Sequence, residues 1–354
     1  VTPKAIIIAD DLTGAMDSAV AFADRSFRVM VGLSVESLPE LLTQGVDVVA
    51  ISTGTRETKP QIAAQVMHQL TSQLKDFQGI ILKKVDSRLK GPIFEEISAL
   101  SAEFSRPLFA CPAIPKMGRL VSNGHLFGSG VGKPISISAT LGLPAEVPEI
   151  RSEADIDSAL PEDLTSVIFI GAAGLAGALA RRLSGTNRPN CPTPKLPAPS
   201  LWAVGSRDPI TMEQLERLST ISRLEAPNGK IAEIPVAPLS LIQMTDGEDA
   251  VDGHIASESF SRALGRAISR DQWASLFASG GETASAILSQ LGVTTLEVMG
   301  EILPGIPMAR TISGAKRLVI ATKSGGFGPP DTLLQLARLV SPEGKPRDNV
   351  EKGP

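Results

Sequence analysis

Five apolar runs in the first half of the chain, at residues 5–9, 46–51 (broken only by Asp47), 79–82, 107–111 and 167–170, limit its fold more than any other feature. Runs without polar alternation suit strands buried on both faces, the condition of a parallel sheet covered by helices on either side. Helical patterns lie between them. Behind Pro60, the residues Ile62, Val66, Leu70 and Leu74 recur every fourth position, so this stripe is expected to face a core while Gln65, Gln69 and Gln73 face water. The alternation reads as α/β, and the expected architecture is two α/β domains with largely parallel sheets facing a central cleft.

The division into two follows from length and from prolines. A chain of 354 residues, 42% of them hydrophobic, can fill two cores. Between Ser184 and Ser200 prolines at positions 189, 192, 194, 197 and 199 forbid a helix or a central strand. The expected boundaries are a first domain at 1–185, a proline-rich linker at 186–200, a second domain at 201–341 and a loose charged tail at 342–354. In the second domain, strand signals appear at 201–204, 231–236, 274–278 and 318–321. Helices are expected behind an Asp208 N-cap with Pro209, around 258–268, and at 284–291.

Composition excludes several classes. The 34 basic and 38 acidic residues leave a net charge of -4, which argues against general affinity for nucleic acid or an anionic membrane surface. Cys111 and Cys191 have neither disulfide nor metal-site spacing, and Cys111 reads as a small buried side chain, so a reducing cytoplasm is expected. Thr2-Pro3-Lys4 runs at once into the first apolar run, so no leader is expected, and no apolar stretch approaches bilayer length. His68, His125 and His254 lie far apart and show no zinc-ligand pattern; His68 should be exposed, and His125 is either a turn residue or a neighbour of the site.

The chemistry-bearing residues sit where strands end. Asp10 and Asp11 follow the first run, where α/β sheets bind ligands, and two carboxylates there suit orienting or deprotonating a hydroxyl, although one of them can equally cap the next helix. Lys83, Lys84, Asp86, Ser87, Arg88 and Lys90 follow another run and offer a grip for a carboxylate or phosphoryl group, or else a solvated basic turn. Arg56 and Arg119 follow two more. In a parallel sheet such ends converge on one rim.

The second half carries glycine turns in the same position. Ser279-Gly280-Gly281-Glu282-Thr283 and Lys323-Ser324-Gly325-Gly326-Phe327-Gly328 each follow an apolar run, and Gly205-Ser206-Arg207-Asp208 follows a third. Glycines let phosphate oxygens approach main-chain N–H groups at the start of a helix, with Thr283 expected to cap that helix and Glu282 to point away from those oxygens or toward a metal. A lone Gly-Gly pair means a tight turn; several in one domain, with Lys323 beside one, point to a nucleotide. By contrast, Gly128-Ser129-Gly130-Val131-Gly132-Lys133 only imitates a phosphate loop, since Pro134 stands where Ser or Thr is required.

Taken together these segments resemble the four-carbon acid sugar kinases, ATP-dependent enzymes of tetronates and 3-oxo-tetronates. The matching pieces are residues 9–15, 84–91, 112–119 with Gly124-His125, Gly205-Ser206 with Thr211 and Gln214, Gly280 to Thr283, 304–307 and 323–328, in family order along nearly the whole chain. The resemblance implies sugar-acid binding by the first domain, ATP and Mg2+ in the second, and transfer to a terminal C4 hydroxyl. Within that frame Asp10 and Asp11 are the candidate catalytic residues, and no residue is assigned as a metal ligand. Arg56, Lys84, Asp86, Ser87, Arg88 and Arg119 would bind substrate; Ser206, Gly280, Gly281, Glu282, Thr283, Lys323, Gly325 and Gly326 would bind nucleotide. The expected partners are therefore a sugar acid and ATP, with room for a homodimer. Two departures bear on substrate choice: Asp86-Ser87-Arg88-Leu89-Lys90-Gly91-Pro92 stands where the family has Asp-Ser-Thr-Leu-Arg-Gly-Asn, and Asp208 where a serine is common. They also support a rival, a regulatory protein that binds both ligands without transfer. An NAD-dependent dehydrogenase is disfavoured, because Asp10-Asp11-Leu12-Thr13-Gly14 replaces the dinucleotide glycine fingerprint.

Overall fold

A computed structural model describes residues 2–186, 194–219, 221–314 and 316–342. Part of the expected linker, including Cys191, and residues 343–354 of the expected tail lie outside the described residues. In the first half the strands are β1 (Ala5–Ala9), β2 (Val29–Gly32), β3 (Val48–Ser52), β4 (Ile80–Lys84), β5 (Leu108–Cys111), β6 (Arg119–Ser122), β7 (His125–Gly128), β8 (Ile135–Ser136) and β9 (Ile168–Gly171). Its helices are α1 (Leu12–Ala23), α2 (Leu38–Thr43), α3 (Pro60–Ser72), α4 (Ile93–Glu103), α5 (Ile137–Leu141), α6 (Glu153–Ala159) and α7 (Ala173–Ser184). Strands β2-β3-β1-β4-β9-β5 pair in that order and all run parallel, while β6, β7 and β8 form a small antiparallel sheet.

The second half contributes β10 (Leu196–Ala198), β11 (Ser200–Val204), α8 (Pro209–Glu216), β12 (Arg223–Pro227), β13 (Leu239–Thr245), α9 (Gly253–Arg270), β14 (Ser275–Ser279) and α10 (Gly281–Gln290). The hairpin β15 (Thr295–Leu303) and β16 (Ile306–Thr311) follows, then β17 (Val319–Lys323), α11 (Thr332–Arg338) and β18 (Val340–Pro342). Here β12-β13-β11-β14-β17 are parallel to one another, and β16 and β15 are antiparallel additions.

Both halves share one 13-stranded sheet, because β15 pairs antiparallel with β2 through Thr295–Gly32, Leu296–Val31 and Glu297–Met30. This junction has a geometric consequence. Passing through β15, β16 and β17 reverses strand direction, so in a flat sheet the carboxyl ends of β1 and β14 would lie on opposite edges. Six strand steps separate β1 from β14, and a twist of roughly 20–25° per step accumulates to about 120–150°. The two carboxyl edges thereby curl toward one another, with α1 lodged between them. A Cβ built on Gly281, at the head of α10, would lie 2.9 Å from Asp11 Oδ2 and 3.0 Å from Thr13 Oγ1.

Several local expectations are corrected. The buried face of α3 is Ala63, Met67, Leu70 and Thr71, whereas Ile62 is exposed, so the apolar stripe is rotated from the one read off every fourth residue. Residues 231–236 form no strand; Pro235 has no N–H to give a ladder. The strands beside them are β12, a charged edge strand with exposed Arg223 and Glu225, and β13. Leu196–Ala198 of the expected linker pairs with Val340–Pro342 in a two-stranded ribbon, where proline is tolerated. Helix α10 begins at Gly281 with Gly280 as N-cap at φ 113°, so Thr283 lies in the first turn and does not cap it.

Candidate functional site

On the first-half rim an ionic lattice is already closed. Arg56 makes a two-pronged pair with Asp10, Nε to Oδ2 at 2.9 Å and a terminal nitrogen to Oδ1 at 2.7 Å, and its other terminal nitrogen reaches Asp11 Oδ2 at 2.5 Å. Asp11 is also the N-cap of α1, accepting from Gly14 N at 2.7 Å and from Thr13 Oγ1 at 2.7 Å. Burial pushes Asp10 up, but the Arg56 guanidinium, helped by Lys83 and Lys84, outweighs it and holds the carboxyl below the ordinary range. Asp10, then Asp11 and Asp86, raise Arg56 against its own burial.

Strand alternation separates the two lysines of β4. Lys83 turns into the core, where its Nζ sits 3.0 Å from Glu96 Oε1; Thr55 donates to the same oxygen at 2.5 Å. Lys83 therefore belongs to a buried frame that fixes the segment carrying Arg56, not to a ligand grip. Lys84 points to the other face and gives one hydrogen bond to Val85 O at 2.8 Å. A Cβ on Gly14 would come within 3.1 Å of its Nζ, so glycine is what lets the lysine lie against α1.

The following loop is organised by Asp86, whose Oδ2 accepts from Arg88 N at 2.8 Å and Lys90 N at 3.4 Å. Ser87 Oγ accepts from an Arg119 terminal nitrogen at 2.5 Å, and Arg119 Nε donates to Ser129 O at 2.9 Å. Arg119 is lowered by burial and then by the neighbouring Arg88 charge. His125 is exposed at a hairpin turn, its Nδ1 2.7 Å from Asn123 O, and His68 is exposed as expected. Cys111 is fully buried, and burial pushes its thiol up to about 12.

The second-half rim is built from main chain. The first-turn amides of α10, at Gly281, Glu282 and Thr283, have no intrahelical partner. Ser279 Oγ below them is buried without one. Glu282 is exposed. Gly205 N and Ser206 N are spent on Ser279 O, at 3.2 and 3.1 Å. Lys323 is buried and folds back on its own loop, donating to Thr211 Oγ1 at 3.2 Å, Ser324 O at 3.0 Å and Gly325 O at 3.0 Å; burial lowers it to about 8. Gln214 Nε2 faces the carbonyls of Phe327, Gly328 and Pro329 within 3.2 Å, and Thr211 Oγ1 donates to Gly325 O at 2.8 Å. Gly325 and Gly326 pack against Ser206 and Asp208.

Parts of the two rims meet in one narrow cleft, whose lining does not include Asp10, Asp11, Arg119, Lys323 or the glycines at 280, 281, 325 and 326. Gly14, Asp17, Arg56, Lys84 and Asp86 line it from the first half, Ser324 and Phe327 from the second. Asp17 and the Thr55–Glu96–Lys83 frame were missed in the sequence. Asp17 was legible as the residue one helical turn beyond Gly14 on the same face of α1; Glu96 gave no local signal. Among the described residues no group of three or more His, Cys, Asp or Glu side chains could hold a metal ion, and no helix is long and apolar enough to cross a membrane.

Comparison with known proteins gives this geometry a context. Residues 5–141 match the model of a sugar-binding N-terminal domain, and residues 232–333 that of a nucleotide-binding C-terminal domain. A D-threonate kinase of Bordetella bronchiseptica is 27% identical over 94% of this chain and 96% of its own. A 3-oxo-tetronate kinase of Haemophilus influenzae is 24% identical over 92% and 97%. Among solved structures, a Salmonella typhimurium protein described as a suspected tRNA synthase superposes with a TM-score of 0.75 at 18% identity, covering 95% of this chain and 99% of that one, a likeness of fold alone.

Proposed function

This chain belongs to the four-carbon acid sugar kinases, and we propose that it moves the γ-phosphoryl group of ATP to the C4 hydroxyl of threonate, erythronate or a 3-oxo-tetronate. It is a phosphotransferase acting on an alcohol group of a sugar acid. One observation carries the finer reading: Gly281, at the head of α10, lies against Asp11 and Thr13, while Arg56, Lys84 and Asp86 line the same cleft as the loop at Ser324. Phosphoryl transfer needs mainly positioning and charge neutralisation, and the two rims supply these from opposite sides.

The nucleotide fits the second rim. Unpaired first-turn amides, the helix dipole and the unpartnered Ser279 Oγ suit phosphate oxygens. Lys323, Thr211 and Gln214 hold the Gly325–Gly326 turn in shape from behind. Magnesium would supply neutralisation of the phosphate charge there, with no cluster of protein ligands of its own among the described residues.

On the first rim Arg56 is a strut, its charge spent on Asp10 and Asp11. Lys84 has two ammonium protons left for ligand oxygens after Val85 O. Arg119 keeps one terminal nitrogen, with Ser87 beside it, for the sugar carboxylate. Asp86 keeps Oδ1 for a sugar hydroxyl. An ATP-dependent kinase of this kind is proposed to work in the cytoplasm. ADP release measured over D- and L-threonate, erythronate and 3-oxo-tetronates tests the proposal. Turnover with at least one of them is expected; ligand-dependent melting shifts without ADP release would replace it with the regulatory reading.

A further inference from the structure

We propose that Asp17 is the general base of the transfer, taking the proton from the acceptor hydroxyl as phosphorus arrives. This rests on the kinase reading above. The two carboxylates expected to do this are engaged: Asp10 is held at both oxygens by Arg56, and Asp11 accepts from Arg56, Thr13 and Gly14. Asp17 lies on the same face of α1 as Thr13 and Gly14, one turn further on, and lines the cleft beside Lys84 and Asp86. It has no hydrogen-bond or ion-pair partner among the described residues.

The charges facing Asp17 come from every side. Lys84 projects from β4, Arg56 from the loop after β3, Asp11 from the turn before α1 and Glu301 from β15. Burial raises the Asp17 carboxyl most; Lys84 opposes it and Asp11 and Glu301 add to it, leaving the group at about 7. A base near the working pH combines a substantial ionised fraction with real driving force for proton transfer. In the step, the hydroxyl O–H bond breaks and its proton passes to an Asp17 oxygen. The freed oxygen forms a bond to the γ-phosphorus, the bond from that phosphorus to the β-phosphate oxygen breaks, and ADP leaves with the electron pair. The proton is returned to water when the products depart.

The test is Asp17→Asn in the full chain, with kcat followed from pH 5.5 to 8.5. The expected result is a loss of about 100-fold or more in kcat, KM values within about threefold of wild type, and a retained ADP-induced melting shift. Wild-type kcat should fall on the acid side with a midpoint near 7, and the variant should lack that limb. A loss under tenfold, or an acid limb that survives in the variant, overturns the assignment. So does a wild-type profile flat through pH 7, whether or not the variant folds. A wild type that releases no ADP with any four-carbon acid sinks the kinase reading itself, whereas an active Asp17→Asn variant of a working enzyme sinks only the role of Asp17.

Discussion

The two rims of the cleft solve one problem with different materials. The first is made of side chains, some of whose charges are paired before any ligand arrives, Arg56 with Asp10 and Asp11 and Lys83 with Glu96, while Arg119 hydrogen-bonds the neutral Ser87. The second is made of main-chain amides, and its charged side chain, Lys323, is turned inward to brace a loop. A small acid with several hydroxyls has to be held by groups of defined direction. A triphosphate, symmetric about its oxygens, is served by a helix end and glycines that stay out of the way. On the reading proposed above, substrate choice resides in the first rim and phosphate handling in the second.

If that contrast is right, damage to the first rim should be the more severe. Arg56→Ala leaves the Asp10 carboxylate buried and unpaired, so we expect a stability loss of about 3–5 kcal/mol together with complete loss of turnover, read by urea unfolding and ADP release. Lys84→Ala should leave the melting temperature within a few degrees while turnover falls about 10²–10³-fold or more; near-normal activity would remove its role. On the second rim, Gly281→Val drives a side chain into Asp11 and Thr13. A displacement of about 1 Å is enough for a loss near 100-fold in kcat, with little change in the sugar-acid KM. Gln214→Ala frees the carbonyls at Phe327 to Pro329, and a lost set of this kind, about 1–3 kcal/mol, should raise the ATP KM about tenfold and leave the sugar-acid KM alone. A separate effect is on stability against pH. The folded Asp17 carboxyl sits near 7, above its ordinary 3.8, so its contribution falls as pH rises through that window. Asp17→Asn should therefore flatten the melting-temperature profile between pH 4 and 8 and melt higher than wild type at pH 8.

How much of this was legible in the sequence differs between the rims in the same way. Parallel strands announce themselves as unbroken apolar runs, so β1, β3, β4, β5, β9, β11, β14 and β17 were readable to within two residues at either end. Edge strand β12 carries Arg223 and Glu225 and has no such signature, and the β15–β2 junction depends on partners more than 260 positions apart. Strand-end charges were readable as a set, because chain direction fixes which end of a parallel strand carries ligands. What each charge does was not. Whether a lysine reaches a ligand or a buried glutamate depends on strand alternation and on a helix elsewhere in the chain, which is why neither the pairing of Lys83 with Glu96 nor the hydrogen bonds of Lys323 to its own loop could be read from the sequence. Asp17 escaped for the opposite reason: within a helix it looked like ordinary polar decoration, and only the closing of the second rim over α1 makes it a cleft residue.

The most direct measurement is a crystal structure with ADP and a four-carbon acid bound together. It should show the terminal phosphate on the amides of Gly281 to Thr283 and the acid between Lys84, Asp86 and Arg119, with one hydroxyl turned toward Asp17. Nucleotide lodged instead in the roomier groove between residues 231–234 and the arginines of α9, Arg262 and Arg266, far from Asp11, would contradict transfer across this cleft.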